Sequence, residues 1–369
     1  MYTFYVVNNG EIQAEITKRS KPTFGWKYND LADCSFTIPI SISEENEALL
    51  YLSESSEIWI KDDGVLKWAG VVTSLQDDIG ESIKEVKVNA KECGILLKDR
   101  FVSATYGATQ EAQIAFGLIN QTQTDTLGIF TPDQVNLGFT AGTLENNVTR
   151  DRTFANDEVL KSLIAMTEVI NGGDFEITPT LTKPSYKVFS WYKSRGNDSN
   201  IKFDTEDGSI IKVARKQDMT QIANYILGSG TGITSVASDS ISASKYKVRQ
   251  FPYDNKDVVL QPTLDSYTQG LVEKKANPIN DYEFSILDIN NLVGQFDIGD
   301  YVTFKVDSSF TGGRWSLNQK LRVWEIQISI DDNDVVTTKL TVGEYPPSRT
   351  NSIQGIVRNI AERLRILEK

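Results

Sequence analysis

The strongest constraint on how this chain can fold is a four-part strand pattern that occurs twice. In the first copy, SFTIPI (35–40) leads through a polar stretch to EIWIK (57–61) and then to VLKWAGVVTSL (65–75). An acidic turn is expected at Asp77-Asp78, and EVKVNAK (85–91) closes the unit. In the second copy, YEFSILDI (282–289) is followed by DYVTFKV (300–306), LRVWEIQISI (321–330), an acidic turn at Asp331-Asp332 and VVTTKLTV (335–342). Order, tryptophan placement and acidic turn all recur. A duplicated unit constrains architecture and symmetry together, so the chain should carry two β units of one kind. The copies differ in the connection between their second and third strands, about three residues in the first and about fourteen in the second. The first lies nearer the hairpin norm, and contacts particular to function are expected at the longer loop.

With 369 residues, two or three domains can each bury a core. No apolar run approaches the roughly 20 residues that span a bilayer. The N-terminus MYTFYVVNNGEIQ lacks a basic region followed by an apolar stretch, so signal-driven secretion is not expected, and the sequons at Asn147 and Asn197 then carry no weight. Cys34 and Cys93 lie in or beside expected strands and read as buried free thiols rather than a disulfide scaffold.

The chain contains no histidine. That removes the Ser-His and Cys-His nucleophile pairs, the HExxH zinc site and the usual general base with a pKa near neutral. Carboxylate-pair or Ser-Lys chemistry is what remains for an enzyme, and neither is recognisable by spacing. A formal net charge of −12 argues against tight binding to phosphate backbones, which takes lysine and arginine to displace counterions. An acidic wall can serve DNA differently, by repelling it so that it slides without sticking.

Residues 1–100 read as β. Val86, Val88 and Ala90 alternate onto one face, and Asp62-Asp63-Gly64 is a hairpin turn. Residues 101–205 change character. TQEAQIAFGLINQTQ (109–123) is helical with Thr109 as N-cap and Ala112, Ala115, Phe116 and Ile119 on one face. A second helix is expected after Asn156 as cap, with Asp157 and Glu158 in its first turn, Leu160, Leu163, Ile164 and Thr167 inward, and a stop at Gly172-Gly173. DFEITP and YKVFSWYK are strands. This is an α+β insert. Residues 206–345 return to β with SIIKVARK (209–216), a stretch at 233–275 that could pack with the insert, and a short helix between Thr263 and Pro278. EYPPSRTNS is a polar linker, and the last segment, within 346–369, is a helix whose Ile353, Val357, Ile360, Leu364 and Leu367 follow 4-3-4-3 spacing. Those residues form either an oligomer seam or the face of a helix docked on its own domain.

Other motifs have plain readings. Gly228, Gly230 and Gly232 in GSGTG make a turn, because no Lys-Ser/Thr and no helix follow. Asp297, Asp300, Asp331, Asp332 and Asp334 lack calcium-loop spacing and suit turns. Trp59, Trp68, Trp315 and Trp324 belong to core or cross-strand pairs. Trp191 and Tyr192, beside a loop, are the candidates for a surface contact such as a glycan. No catalytic, cofactor or metal-binding residues are identified.

Taken in order, SFTIPI, EIWIKDDGVLKWAGVVTSL, VKVNAKE, RKQDMTQIANYILGSGTG, FDIGDYVTFKV and LRVWEIQISI resemble the baseplate hub or tail-tip proteins of tailed bacteriophages. The resemblance spans most of the chain, and its specificity lies in the order of the segments. It implies a mainly β (α+β) protein with two tail-tube-like β-barrel domains (1–100 and 206–345), an α+β insert between them and a short C-terminal helix. It further implies a homotrimer that acts as a six-fold to three-fold symmetry adapter in the virion tail tip, assembled in the host cytoplasm. The distal tail protein or tail tube would lie above, and a spike, fibre or tape-measure protein below or inside. DNA would pass the bore without specific binding. Several tail-tip proteins continue into a cell-wall-degrading domain; here the sequence ends after the short helix, so no lytic role is expected. The alternative is a receptor- or glycan-binding tail protein.

Overall fold

Alternation of apolar and polar residues is the local cause of most of the observed strands. A computed structural model describes residues 1–40, 47–81, 84–124, 130–146, 148–167, 172–181, 186–220, 222–256, 258–288 and 292–343. The first copy runs through β1 (Tyr2–Asn8), β2 (Glu11–Glu15), β3 (Ser20–Lys27), β4 (Asp33–Pro39), α1 (Ala48–Tyr51), β5 (Glu57–Asp62), β6 (Val65–Ile79) and β7 (Lys84–Glu92). Their spatial order is β3-β4-β7-β6-β5-β1-β2. Cys34, Phe36 and Ile38 of β4 and Val86, Val88 and Ala90 of β7 point into the core, as period-two patterning requires. Asp63 and Gly64 both have positive φ, the condition for a type I′ hairpin. Asp77 and Asp78 are not a turn. They lie in β6, opposite Val86 and Glu85, because the β6·β7 ladder continues beyond the apolar part of both strands.

The insert begins with a 3-10 turn (Cys93–Leu97) and continues as β8 (Phe101–Gln110), α2 (Glu111–Thr124), α3 (Pro132–Val135), β9 (Phe139–Leu144), β10 (Thr149–Glu158), α4 (Val159–Thr167), β11 (Asp174–Pro179) and β12 (Lys187–Tyr192). β8 pairs with β10, and β11, β12 and β9 form a second small sheet. Ala112, Ala115, Ile119, Leu160 and Leu163 share a core with Phe175, Phe189 and Trp191. Two caps differ from expectation. Thr109 lies within β8 and turns its hydroxyl to the Gly107 carbonyl. Asn156 sits in β10 at positive φ, and Asp157 accepts from the Ala155 amide. In each case strand pairing of β8 with β10 takes the residues a cap would need.

The second copy is β13 (Asp198–Asp204) and β14 (Ile210–Asp218), and it resumes after an excursion. The excursion forms β15 (Tyr225–Ser229), β16 (Thr234–Ser238), α5 (Ser240–Tyr246), β17 (Gln250–Asp254) and α6 (Gln261–Lys275). The copy is completed by β18 (Ile279–Ile286), β19 (Tyr301–Val306), β20 (Leu317–Ile330) and β21 (Val336–Gly343). α6 starts before Thr263 because Pro262 suits its first turn. The loop after β19 is shorter than expected, since β20 already begins at Leu317. At the acidic turn that follows β20, Asp331 Oδ1 accepts from the Asn333 and Val335 amides.

The chain divides into two compact units, the first holding Met1–Thr167, Gly172–Lys212 and Phe284–Leu340. The second is built on Val213–Glu283, with the sheet β16-β15-β17 and its own core of Ile226, Tyr253, Leu264, Tyr267 and Leu271. This division is coarser than the expected 1–100, 101–205 and 206–345, and residues 233–275 lie within the second unit. Among the described residues no helix is long and apolar enough to cross a membrane. Residues 346–369, with the seam candidates Ile353, Val357, Ile360, Leu364 and Leu367, lie outside the described residues.

Candidate assembly joint

The repeat read from the sequence is also a repeat of topology. In the first copy the strands stand in the order β1-β5-β6-β7-β4-β3, and in the second β13-β19-β20-β21-β18-β14. Each of these strands has its counterpart at the same chain position and the same sheet position, and only the edge strand β2 lies outside the correspondence. The copies are not separate sheets: all belong to one 13-stranded sheet.

The joint between them is a pairing of β3 with β20. Its ladder runs from Glu325 opposite Lys27 to Ser329 opposite Thr23, and Tyr28 N–H donates to the Trp324 carbonyl at 2.9 Å. The first half of β20 pairs instead with β19, Leu317 opposite Val306 to Arg322 opposite Tyr301. β20 therefore divides one edge between its own copy and the other. Gly25 is required here, because a Cβ at this position would run into the Ile326 carbonyl oxygen. Lys27 Nζ lies 3.9 Å from Glu325 Oε1.

Behind the joint, charged side chains fasten the insert to both copies. Arg322 Nε donates to the Gly299 carbonyl at 2.8 Å, and its NH2 donates to Tyr28 Oη at 2.7 Å and to the Arg195 carbonyl. The guanidinium also stands 4.6 Å from the Tyr28 ring centre and 4.9 Å from that of Trp324, a doubly stacked cation. Arg195 donates to Glu176 at 2.6 Å and to Asp297 at 3.2 Å. Burial works against its charge, but these carboxylates outweigh burial and its pKa is raised. Gly196 and Gly299, both at positive φ, meet backbone to backbone where no Cβ would fit. Asn29 donates to Asp174 at 2.7 Å and accepts from the Phe175 amide. Lys187 pairs with Glu57 at 2.9 Å, both largely buried.

Arg195, Glu176 and Asp297 border a cavity of about 480 Å³ lined also by Tyr2, Trp26 and Glu92. Burial pushes the Glu92 carboxyl up to about 8, beyond the opposing pull of the Ala32 amide and Arg195. Glu176 is raised as well, chiefly by burial. Elsewhere Asp204, Glu206 and Asp307 converge, but Lys202 and Lys305 pair with Asp204 and Glu206 at 2.7 Å each. That cluster is a set of ion pairs.

Trp191 is not a surface residue. It is 0 % exposed, its ring tilted against Phe189 in the insert core, because its position in β12 points inward. Tyr192 is half-buried, its hydroxyl donating to Glu176 at 3.1 Å. Arg322, Arg195, Gly25 and Glu92 escape the sequence reading. The cross-copy position of Arg322, beside Trp324 in a strand otherwise alternating apolar and polar, is the one signal that marks it.

No protein-family model matches the sequence, and no curated protein matches it. Solved structures do. The 43 kDa tail protein of prophage MuSo2 from Shewanella oneidensis superposes with a TM-score of 0.63 at 13% identity, covering 92% of this chain and 97% of that one. A tail protein from Neisseria meningitidis gives 0.58 at 10% identity, covering 98% and 99%. The prophage tail protein gp18 from Listeria monocytogenes gives 0.51 at 12% identity over 100% of both chains. The two like-ordered copies, joined through β3 and β20 with the insert fastened behind them, thus have the fold of bacteriophage tail proteins.

Proposed function

We propose that this chain is a structural hub of a phage tail tip, and that three copies close into a ring serving as a six-fold to three-fold symmetry adapter. The observation that carries the reading is the strand order shared by the two copies together with their fusion through β3·β20. One chain holds two quasi-equivalent units in a fixed relation, so three chains present six. Such a ring matches a six-fold tube on one face and a three-fold tip on the other. The buried fastenings at Arg322, Arg195 and Lys187 suit a part that transmits force without changing shape.

The ring's bore would continue the tail channel, with DNA passing through it without specific binding, and the net charge of −12 favours sliding over adhesion. The tail tube or distal tail protein is the partner above, and a spike, fibre or tape-measure protein the partner below or inside. The role is non-enzymatic and belongs to the virion. Mass measurement of the purified chain, paired with negative-stain imaging, tests this. A three-chain mass and a ring with a central bore are expected; a single-chain mass at every concentration refutes it.

A further inference from the structure

The internal joint leaves one question of strand accounting. β3, the outermost strand of the first copy, pairs with the second half of β20 in the second copy. Its counterpart in the second copy is β14, which ends the sheet. The counterpart of β20 is β6, whose first half pairs with β5 from Val65 to Val71, with one further bond from the Val72 amide to Ser56. Beyond it, among the described residues, no strand pairs with residues 73–79 on the edge away from β7.

Exposure follows this difference. In the second half of β20, Ile326, Ile328 and Ile330 are buried, whereas Ile79 of β6 is 66 % exposed. Ile211 of β14 is likewise exposed at 45 %. Charge also differs between the two edges. The open half of β6 carries Asp77 and Asp78, and β14 exposes Lys212 and Lys216 ahead of Asp218 at its end. The occupied joint has the same arrangement of sign, Lys27 on β3 facing Glu325 on β20.

We infer that β14 of one chain pairs with residues 73–79 of β6 in a second copy of this chain, reproducing between chains the β3·β20 joint found within one. The contact is head-to-tail, so each chain offers one donor strand and one acceptor edge and the series ends only by closing into a ring. Closure removes both open edges at once. Internal and external joints then alternate around the ring as near-equivalents. This inference rests on reading the chain as a ring-forming tail component, and it adds which strands meet.

The test is a charge exchange read by sedimentation mass. Asp77→Lys with Asp78→Lys, and separately Lys212→Glu with Lys216→Glu, should each leave single chains with an unchanged melting temperature, since all four side chains are exposed. Combining the four substitutions in one chain should restore the ring mass. Hydrogen exchange on the unmodified ring gives an independent measure: amides in 73–79 that face away from β7 should be protected, and they should exchange freely in the single-chain variants. If both paired variants keep the full ring mass, or those amides exchange freely in the intact ring, the strand pairing is wrong while the ring itself stands. Failure of the fourfold exchange to restore the mass also overturns the pairing. If the unmodified chain never exceeds a single-chain mass, the ring reading fails and this inference falls with it.

Discussion

Glu92 offers a quantitative test of the cavity behind the joint. Its Oε2 accepts from the Ala32 amide at 2.6 Å, while burial raises its pKa from the ordinary 4.5 to about 8. Between those two pH values the folded chain holds a proton that the unfolded chain has released. Stability is therefore greatest below pH 4.5 and declines as pH rises to about 8, beyond which this group adds no further change. The full shift corresponds to about 5 kcal/mol. Glu92 borders the cavity and is only partly buried by surface area, so solvent screening lowers the expected effect to about 2 kcal/mol. Glu92→Gln keeps the shape and the acceptor but cannot ionise. Urea denaturation of both proteins at about pH 3.5, 7 and 9 should give equal stabilities at the lowest pH, and at the highest the Glu92→Gln variant should be more stable by about 2 kcal/mol. All other titrating groups are common to both, so they cancel in the difference. Parallel pH profiles, or a variant less stable than the native protein under alkaline conditions, would show that Glu92 ionises freely in the fold and that burial does not raise its pKa.

Three further substitutions address the same architecture. Gly25→Ala puts a Cβ against the Ile326 carbonyl and should cost about 3 kcal/mol, with hydrogen exchange rising first at residues 325–329. Arg322→Met preserves the packing stem and removes the charge-assisted bonds to Gly299 and Tyr28; a loss of about 2 kcal/mol by calorimetry is expected, and Arg322→Lys should recover little because a point charge cannot reproduce the fork. Trp191→Ala should cost about 4 kcal/mol as a cavity mutation in the insert core. Cell-wall binding by the native protein that Trp191→Ala removes without lowering the melting temperature would contradict the burial.

The repeat was legible because its signals are local. Alternation in β4 and β7, the Asp63-Gly64 hairpin and the Asp331 turn each depend on a few neighbouring residues, and they appear where expected. The joint was not legible, because nothing near Gly25 in sequence announces a partner at Gln327. The same holds for Arg322, whose partners Tyr28, Arg195 and Gly299 come from all three segments. Trp191 shows the opposite error: a loop beside it suggested exposure, but in β12 the ring direction is set by the strand's parity, and Phe189 and Trp191 share the inward face. Asp77 and Asp78 read as a turn because acidic pairs favour turns, yet a long ladder carries them as strand, and that extension is what creates the open edge of β6.

The remaining edges of the sheet explain why assembly would select this one. β2 closes the far side of the first copy and is short, Glu11–Glu15, with a glutamate at each end; short charged edges discourage further pairing. On the far side of the second copy, β13 pairs in parallel with β19 rather than antiparallel as β1 does with β5. Its edge is also laced with mixed charge: Asp198 bonds Lys320 and Lys202 bonds Asp204. An edge whose charges are already paired within the chain presents no net sign to a second chain. The open half of β6 and the strand β14 are longer than β2, and they carry opposite charges, Asp77 and Asp78 on the one and Lys212 and Lys216 on the other, with an exposed isoleucine on each. Two edges blunted by internal charge or short length, and two left complementary, amount to a direction of growth, and a growth direction fixed by one heterologous contact is what a closed ring needs.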